Sequence, residues 1–254
     1  MRIGIFDSGM GGLTVLKEAL KLLPNAHFIY FGDTGRFPYG TKSPKTIEQY
    51  SIENTLFLLQ KQVDVVVIAC NTATSIAYPT LQKHFSVPII DVIEPAIETA
   101  LKTSSSGNIG IIGTTALVQS KVYQNKLKLM PGISLSTQAC PLLISLIEEG
   151  MSDKKIKNAI LDHYLKPLKK KKIDTLILAC THFPLIQEDI QEAIGQNVQI
   201  INPSTECAKR VHKLLKNTPE TSPQIEFYVS DDPKRFKQKG EAFLGFPIHK
   251  VHSA

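Results

Sequence analysis

DVVVIAC at Asp64–Cys70 and DTLILAC at Asp174–Cys180 agree in their first residue and in their closing Ala-Cys, about 110 positions apart. Each is a short, nearly continuous apolar run, the pattern of a strand buried on both faces of a parallel sheet. The spacing recurs on either side. IGIF at 3–6 is echoed by IGII at 109–112, and VPII at 87–90 by VQII at 198–201. Three echoes in the same order describe two similar units rather than a chance match. The strand candidates RIGIF, HFIYFG, VDVVVIA, VPIIDVI, NIGIIG, SLSTQA, IDTLILA and VQIINP alternate with longer amphipathic stretches. Among these are LTVLKEALKLL, PKTIEQYSIENTLFLLQKQ and DKKIKNAILDHYLKPLKK. That alternation predicts an α/β protein of two pseudosymmetric domains, with mostly parallel central sheets sandwiched by helices. The polar KTSSSGN at 102–108 marks a boundary, and a second crossing is expected near 205–210. A last strand, IEFYVS at 225–230, has no unit of its own, so it is expected to return to the first. The first domain is then residues 1–97 plus 209–254, and the second 98–208.

The 254 residues are enough for two such cores without disulfides or metal staples. The four cysteines, at 70, 140, 180 and 207, fit neither a secreted disulfide framework nor a CxxC pair, so free thiols and a cytoplasmic setting are expected. The chain opens directly on a strand without a signal pattern, and no run is long enough for a membrane helix. A formal net charge of +6 suits an anionic ligand. It does not imply nucleic acid: the lysine run at 169–172 reads as a solvated helix end.

The duplication gives the cysteines their meaning. Cys70 and Cys180 both stand at the exit of an apolar strand and are followed by small polar residues, CNT and CTH. Open α/β sheets bind ligands beyond the carboxyl ends of their strands. Two such ends facing one another put one thiol on each side of an interdomain cleft. One thiolate can then take a proton from a carbon while the other thiol delivers one to the opposite face, inverting the centre without a redox change or a cofactor. Asp7 and Ser8 stand at the exit of the first strand and are candidates to relay a proton or hold an ammonium group. His182 is placed to support Cys180. Asn71, Thr72, Thr114 and Thr181 offer donors for carboxylates, and Pro38, Tyr39 and Gly40 a rigid turn with a ring surface. Cys180-x-His182 alone supplies too few ligands for zinc, so no metal is expected.

With IGIFDSGMGGLTV, GDTGRFPYGTKS, VVIACNTAT, VIEPA, ACPLL with its following IEEG, LACTHFPLI and FYVSDDPKRF on the page, the chain resembles the glutamate racemases of the aspartate/glutamate racemase family over essentially its full length. The resemblance implies cofactor-independent exchange of L- and D-glutamate for peptidoglycan. It implies that Cys180 takes the Cα proton of L-glutamate and Cys70 that of D-glutamate, with Asp7 and His182 supporting them. It carries substrate contacts onto Ser8, Pro38, Tyr39, Gly40, Asn71, Thr72, Thr114 and Thr181. It also brings in Glu148, near the substrate ammonium or His182, although the adjacent Glu149 competes for that assignment. A homodimer is expected by the same route, with no membrane or nucleic-acid partner.

Two positions depart from the pattern. Leu117 stands where the second threonine of a GTxxT segment is often found, and Asp91 where glycine is common. Three other readings remain open at this level: a racemase of aspartate or another acidic amino acid, a hydrolase using Cys180 with His182, and a glutamate-binding or interaction protein without catalysis.

Overall fold

The structure, a computed structural model, describes residues 1–128, 130–215 and 223–254. In chain order it begins β1 (Arg2–Asp7), α1 (Leu13–Leu22), β2 (His27–Gly32), α2 (Pro44–Gln60), β3 (Val65–Ile68), α3 (Asn71–His84), β4 (Ile89–Asp91) and α4 (Ile93–Thr103). There follow β5 (Asn108–Gly113), α5 (Thr115–Ser120), α6 (Val122–Leu127), β6 (Ser134–Ala139), α7 (Pro141–Glu148), α8 (Lys154–Lys170), β7 (Thr175–Ala179) and α9 (Gln187–Ile194). The chain ends with β8 (Gln199–Ile201), α10 (Pro203–Leu215), β9 (Gln224–Val229), α11 (Pro233–Leu244) and β10 (Val251–Ser253).

The strands form two sheets, ordered β10-β9-β2-β1-β3-β4 and β6-β5-β7-β8, and every strand pair is parallel. The four strands of the second sheet repeat the order β2-β1-β3-β4 of the first, so the echoed segments occupy equivalent places. Two strands extend the first sheet: β9 pairs in register with β2 from His27↔Gln224 to Gly32↔Val229, and β10 follows at the edge. The boundaries expected after residues 97 and 208 both fall inside helices, α4 and α10, and these helices also pack against one another.

Burial on both faces explains the continuous apolar strands. In the first sheet Ile3, Ile5, Phe28, Tyr30, Val65 and Val67 face one core, shared with Leu13 and Leu16 of α1 and Phe236 of α11. The alternate residues Phe6, Ile29, Phe31, Val66 and Ile68 face the other, against Ile47 and Leu58 of α2 and Ala77 and Leu81 of α3. Period-two alternation therefore selects a core rather than separating core from solvent. Cys140 and Cys207 are fully buried, and burial pushes both thiols well above the ordinary cysteine value, as expected of structural thiols. Lys169 to Lys172 are exposed at the end of α8. No helix among the described residues is long and apolar enough to cross a membrane.

Candidate active site

Beyond the carboxyl ends of the strands lies a small, narrow cavity. Ser8, Pro38, Tyr39, Gly40, Cys70 and Asn71 line it from the first half, together with Thr72 at the start of α3. Thr114, Cys180, Thr181 and His182 line it from the second. Two walls were not singled out from the sequence: Phe37, inside the quoted GDTGRFPYG segment, and Ile144 on α7. Asp7 and Glu148, also expected at the site, stand behind this lining.

Each thiol is presented by the end of its strand. Cys70 caps the N-terminus of α3 and accepts a hydrogen bond from the Ala73 amide at 3.4 Å; its sulfur donates to Ser8 Oγ at 3.6 Å. Burial and the nearby Asp7 carboxylate nevertheless push its pKa up to about 12. Cys180 follows β7, and its Sγ lies 3.8 Å from His182 Nδ1. The other ring nitrogen, Nε2, lies 2.8 Å from Glu148 Oε1. Burial opposes a charge on His182, but the hydrogen bonds to Cys180 and Glu148 and their negative charge outweigh that cost, and its pKa rises to about 10. Burial works the other way on Glu148, yet the hydrogen bond and charge of His182, with Lys239 and Arg235, hold its carboxyl below the usual range. Glu149 is two-thirds exposed, so helix phase alone separates the neighbouring glutamates and gives His182 to Glu148.

Asp7 is completely buried, and burial raises its pKa despite the His182 charge and the hydrogen bonds it accepts. Its carboxylate takes the Gly9 amide at 3.0 Å and the Thr181 hydroxyl at 3.4 Å. The direct partner of Cys70 is therefore Ser8, and Asp7 acts on that thiol through its field. The glycines of the DSGMGG turn permit this crowding. A Cβ on Gly11 would stand 2.4 Å from Thr181 Oγ1 and 2.6 Å from the His182 ring, and one on Gly12 2.5 Å from the Asp7 Cβ. Thr14 closes the arrangement by donating to the Thr181 carbonyl at 3.0 Å.

The remaining lining divides into groups facing the cavity and groups facing away. Thr72 Oγ1 and Thr114 Oγ1 meet at 2.8 Å across the cleft, and Thr114 also accepts the Leu117 amide at 3.1 Å as cap of α5. The side-chain oxygen of Asn71 is buried without a partner, an open acceptor beside Cys70. The hydroxyl of Tyr39 points the other way, donating to Asp33 and accepting from Asn54 at 3.0 Å, so only its ring belongs to the cavity. Asp33, fully buried, also accepts from Arg36 Nε on both carboxylate oxygens and from the Ser230 hydroxyl at 2.8 Å. It thereby anchors the Phe37–Gly40 wall to the strand end of β9. The departures are accommodated: Leu117 is core, packed over Gly113, and Asp91 accepts the Ile93 and Glu94 amides as a cap of α4. No group of metal-binding side chains occurs among the described residues.

Comparison with known proteins gives a consistent set of relatives. The glutamate racemase of Geobacter metallireducens is 42% identical over 256 aligned residues, covering 98% of this chain and 95% of its own. The structure of glutamate racemase isoform RacE1 from Bacillus anthracis superposes with a TM-score of 0.94 at 34% identity, covering 99% of this chain and 96% of that one. That of the Francisella tularensis glutamate racemase in complex with D-glutamate gives 0.91 at 36%, covering 100% and 97%. The sequence profile of the Asp/Glu/hydantoin racemase family matches residues 13–211. With two thiols delivered to one cavity by equivalent strands, the chain belongs to that family.

Proposed function

We propose that this protein interconverts L- and D-glutamate by two-thiol acid/base chemistry and so supplies D-glutamate for peptidoglycan. The observation that carries the reading is the meeting of Cys70 and Cys180 on one cavity, each from the same position of a repeated strand. The named relatives, glutamate racemases along nearly their whole length, support glutamate over shorter acidic substrates.

In the L-to-D direction the Cys180 thiolate removes the Cα proton and becomes a thiol. The electron pair passes onto the α-carboxylate, and Cys70 protonates the carbon from the opposite face, leaving its own thiolate. The reverse reaction exchanges these states. The His182 ring meets the Cys180 sulfur directly, while the helix N-terminus and the Ser8 hydroxyl assist Cys70. Asn71 is suited to accept the substrate ammonium. Thr72, Thr114 and Thr181 are suited to hold carboxylate oxygens as charge develops. Both proton transfers are assigned to side chains, and a hydrolase built on Cys180 and His182 would leave the placement of Cys70 without a purpose.

Circular dichroism of the purified protein with each glutamate enantiomer, run in deuterium oxide, tests the reading. Both enantiomers should relax to the racemate, with deuterium entering Cα. Aspartate that racemises faster than glutamate would move the assignment to the alternative acidic substrate. Optical activity that stays constant with glutamate would end it.

A further inference from the structure

Two cations on α11 reach across to the end of α7. The Lys239 ammonium donates to the Glu148 carbonyl and lies 3.5 Å from Glu149 Oε1. The Arg235 guanidinium lies 3.9 Å from Glu148 Oε2 and 3.5 Å from Glu149 Oε1. α11 packs against α1, β9 and β10 of the first sheet, whereas α7 follows β6 of the second. The contact therefore joins the two halves at the rim of the cleft. The last carbonyls of a helix lack partners within it and carry the negative end of its dipole, so a lysine from the opposite half caps α7 by both hydrogen bond and charge. The capped residue is Glu148, the same residue whose side chain holds His182 beside Cys180.

We propose that Lys239, seconded by Arg235, is a positioning residue: it clasps the C-terminus of α7 across the cleft and so fixes the Glu148–His182–Cys180 line in the geometry for proton transfer. The proposal deepens the racemase reading and rests on it. Lys239 touches no reacting atom and acts through Glu148. It outweighs Arg235, whose side chain is 52% exposed against 26% for Lys239, so water and salt screen the arginine more.

The charges around this line fix the sign of its pH behaviour. Cys180 and Asp7 act on His182. Lys239, Arg235, Glu149 and the imidazole surround Glu148, and Tyr30 senses Glu148 from the core. Without the lysine charge Glu148 is less neutralised, so it protonates more readily and stabilises the imidazolium more strongly. Both titrations move to higher pH.

The test compares full-length wild type, Lys239→Met, Lys239→Arg and Arg235→Met, following racemisation from each enantiomer across the pH range. Lys239→Met should lower kcat roughly 10- to 100-fold with a smaller change in KM, as misplacement of a proton-transfer group does. Both limbs of its pH profile should move upward. Lys239→Arg should restore most of the rate and the original profile, and Arg235→Met should lose less than Lys239→Met. If Lys239→Met does not fold by far-UV circular dichroism, Lys239→Gln, which keeps a donor and loses the charge, is held to the same criteria. Wild-type kcat and profile in the charge-free variant would overturn the clasp. So would equal losses in the methionine and arginine variants without a pH shift. A wild type that does not racemise glutamate overturns the function reading instead.

Discussion

Cys70 and Cys180 leave their sheets at equivalent places, and the two halves then prepare them by different means. In the first half the helix follows at once, and Cys70 sits on its N-terminus with a hydroxyl for company. In the second, β7 gives way to a short turn at Phe183–Ile186, and an imidazole takes the place of the helix end. The carboxylates differ too. Asp7 and Ser8 correspond in register to Gly113 and Thr114, so the second half has no acid at its first strand exit. Packing there is tight: a Cβ on Gly113 would stand 2.7 Å from a Leu117 methyl and 3.1 Å from the Ala179 carbonyl, so a side chain would have to displace Leu117. The carboxylate of this half, Glu148, arrives instead from α7 and meets His182. The repeat thus fixes where a sulfur stands and leaves open what surrounds it. One side carries a buried carboxyl group, raised by burial, beside a thiol pushed up to about 12, and the other a hydrogen-bonded ion pair.

The largest effects should come from the sulfurs. Cys70→Ser and Cys180→Ser should each lower kcat by ~10³-fold, within the range that a positioned acid or base contributes. Both directions must suffer alike in kcat/KM, since the enantiomers have equal free energy and share one transition state. The halves should separate in hydrogen exchange. Cys70→Ser should retain slow deuterium entry into L-glutamate alone, and Cys180→Ser into D-glutamate alone. Exchange of both enantiomers by either variant, read by proton NMR, would break the assignment of faces.

The supporting groups sharpen the contrast at a smaller scale. His182→Asn and Asp7→Asn should each cost on the order of 10²-fold in kcat/KM. Their signatures differ in kcat measured separately for each direction: loss of the imidazole should weigh more on the L-to-D reaction, and loss of the carboxylate on D-to-L. Identical ratios in the two variants would mean that neither group belongs to one face. Gly11→Ala should cost roughly tenfold in kcat by displacing Thr181 and the His182 ring together. Steady-state rates with intact secondary structure check it.

Much of this architecture was readable in advance because it rests on period and repetition. Apolar strands buried on two faces, two Ala-Cys exits and a polar residue after each are local signals, and the return of β9 follows from a strand with no neighbours of its own. What was hidden depends on direction or distance. Tyr39 lies in the expected turn, but its hydroxyl is turned to Asp33, and no sequence pattern states which way a ring points. Leu117 stands where a threonine is often found, and the phase of α5 puts it in the core, 2% exposed. Lys239 looks like any lysine on a surface helix until the fold lays that helix beside α7. β10 has three residues in a polar context, too little pattern for a strand to declare itself.

The smallest effects concern stability, and here the two halves should respond with opposite signs. Burial raises the folded pKa of Asp7, so its protonated form is the one the fold prefers. Stability is lost as pH rises from the unfolded carboxylate range through the folded value. Asp7→Asn, which removes the charge, keeps one oxygen for the Gly9 amide and turns its NH2 to the Thr181 oxygen, should raise Tm by a few degrees at pH 7. Glu148 and His182 behave the other way. The lowered carboxyl contributes above its unfolded value near 4.5 and loses that contribution as pH falls. The raised imidazole contributes fully below 6.5 and loses it as pH climbs through about 10. Glu148→Gln should therefore lower Tm by a few degrees at pH 7, with the deficit shrinking toward pH 10. Thermal melts of the two variants at neutral pH decide the matter: shifts of the same sign would mean that the buried carboxylates, unlike the sulfurs they serve, do not distinguish the halves.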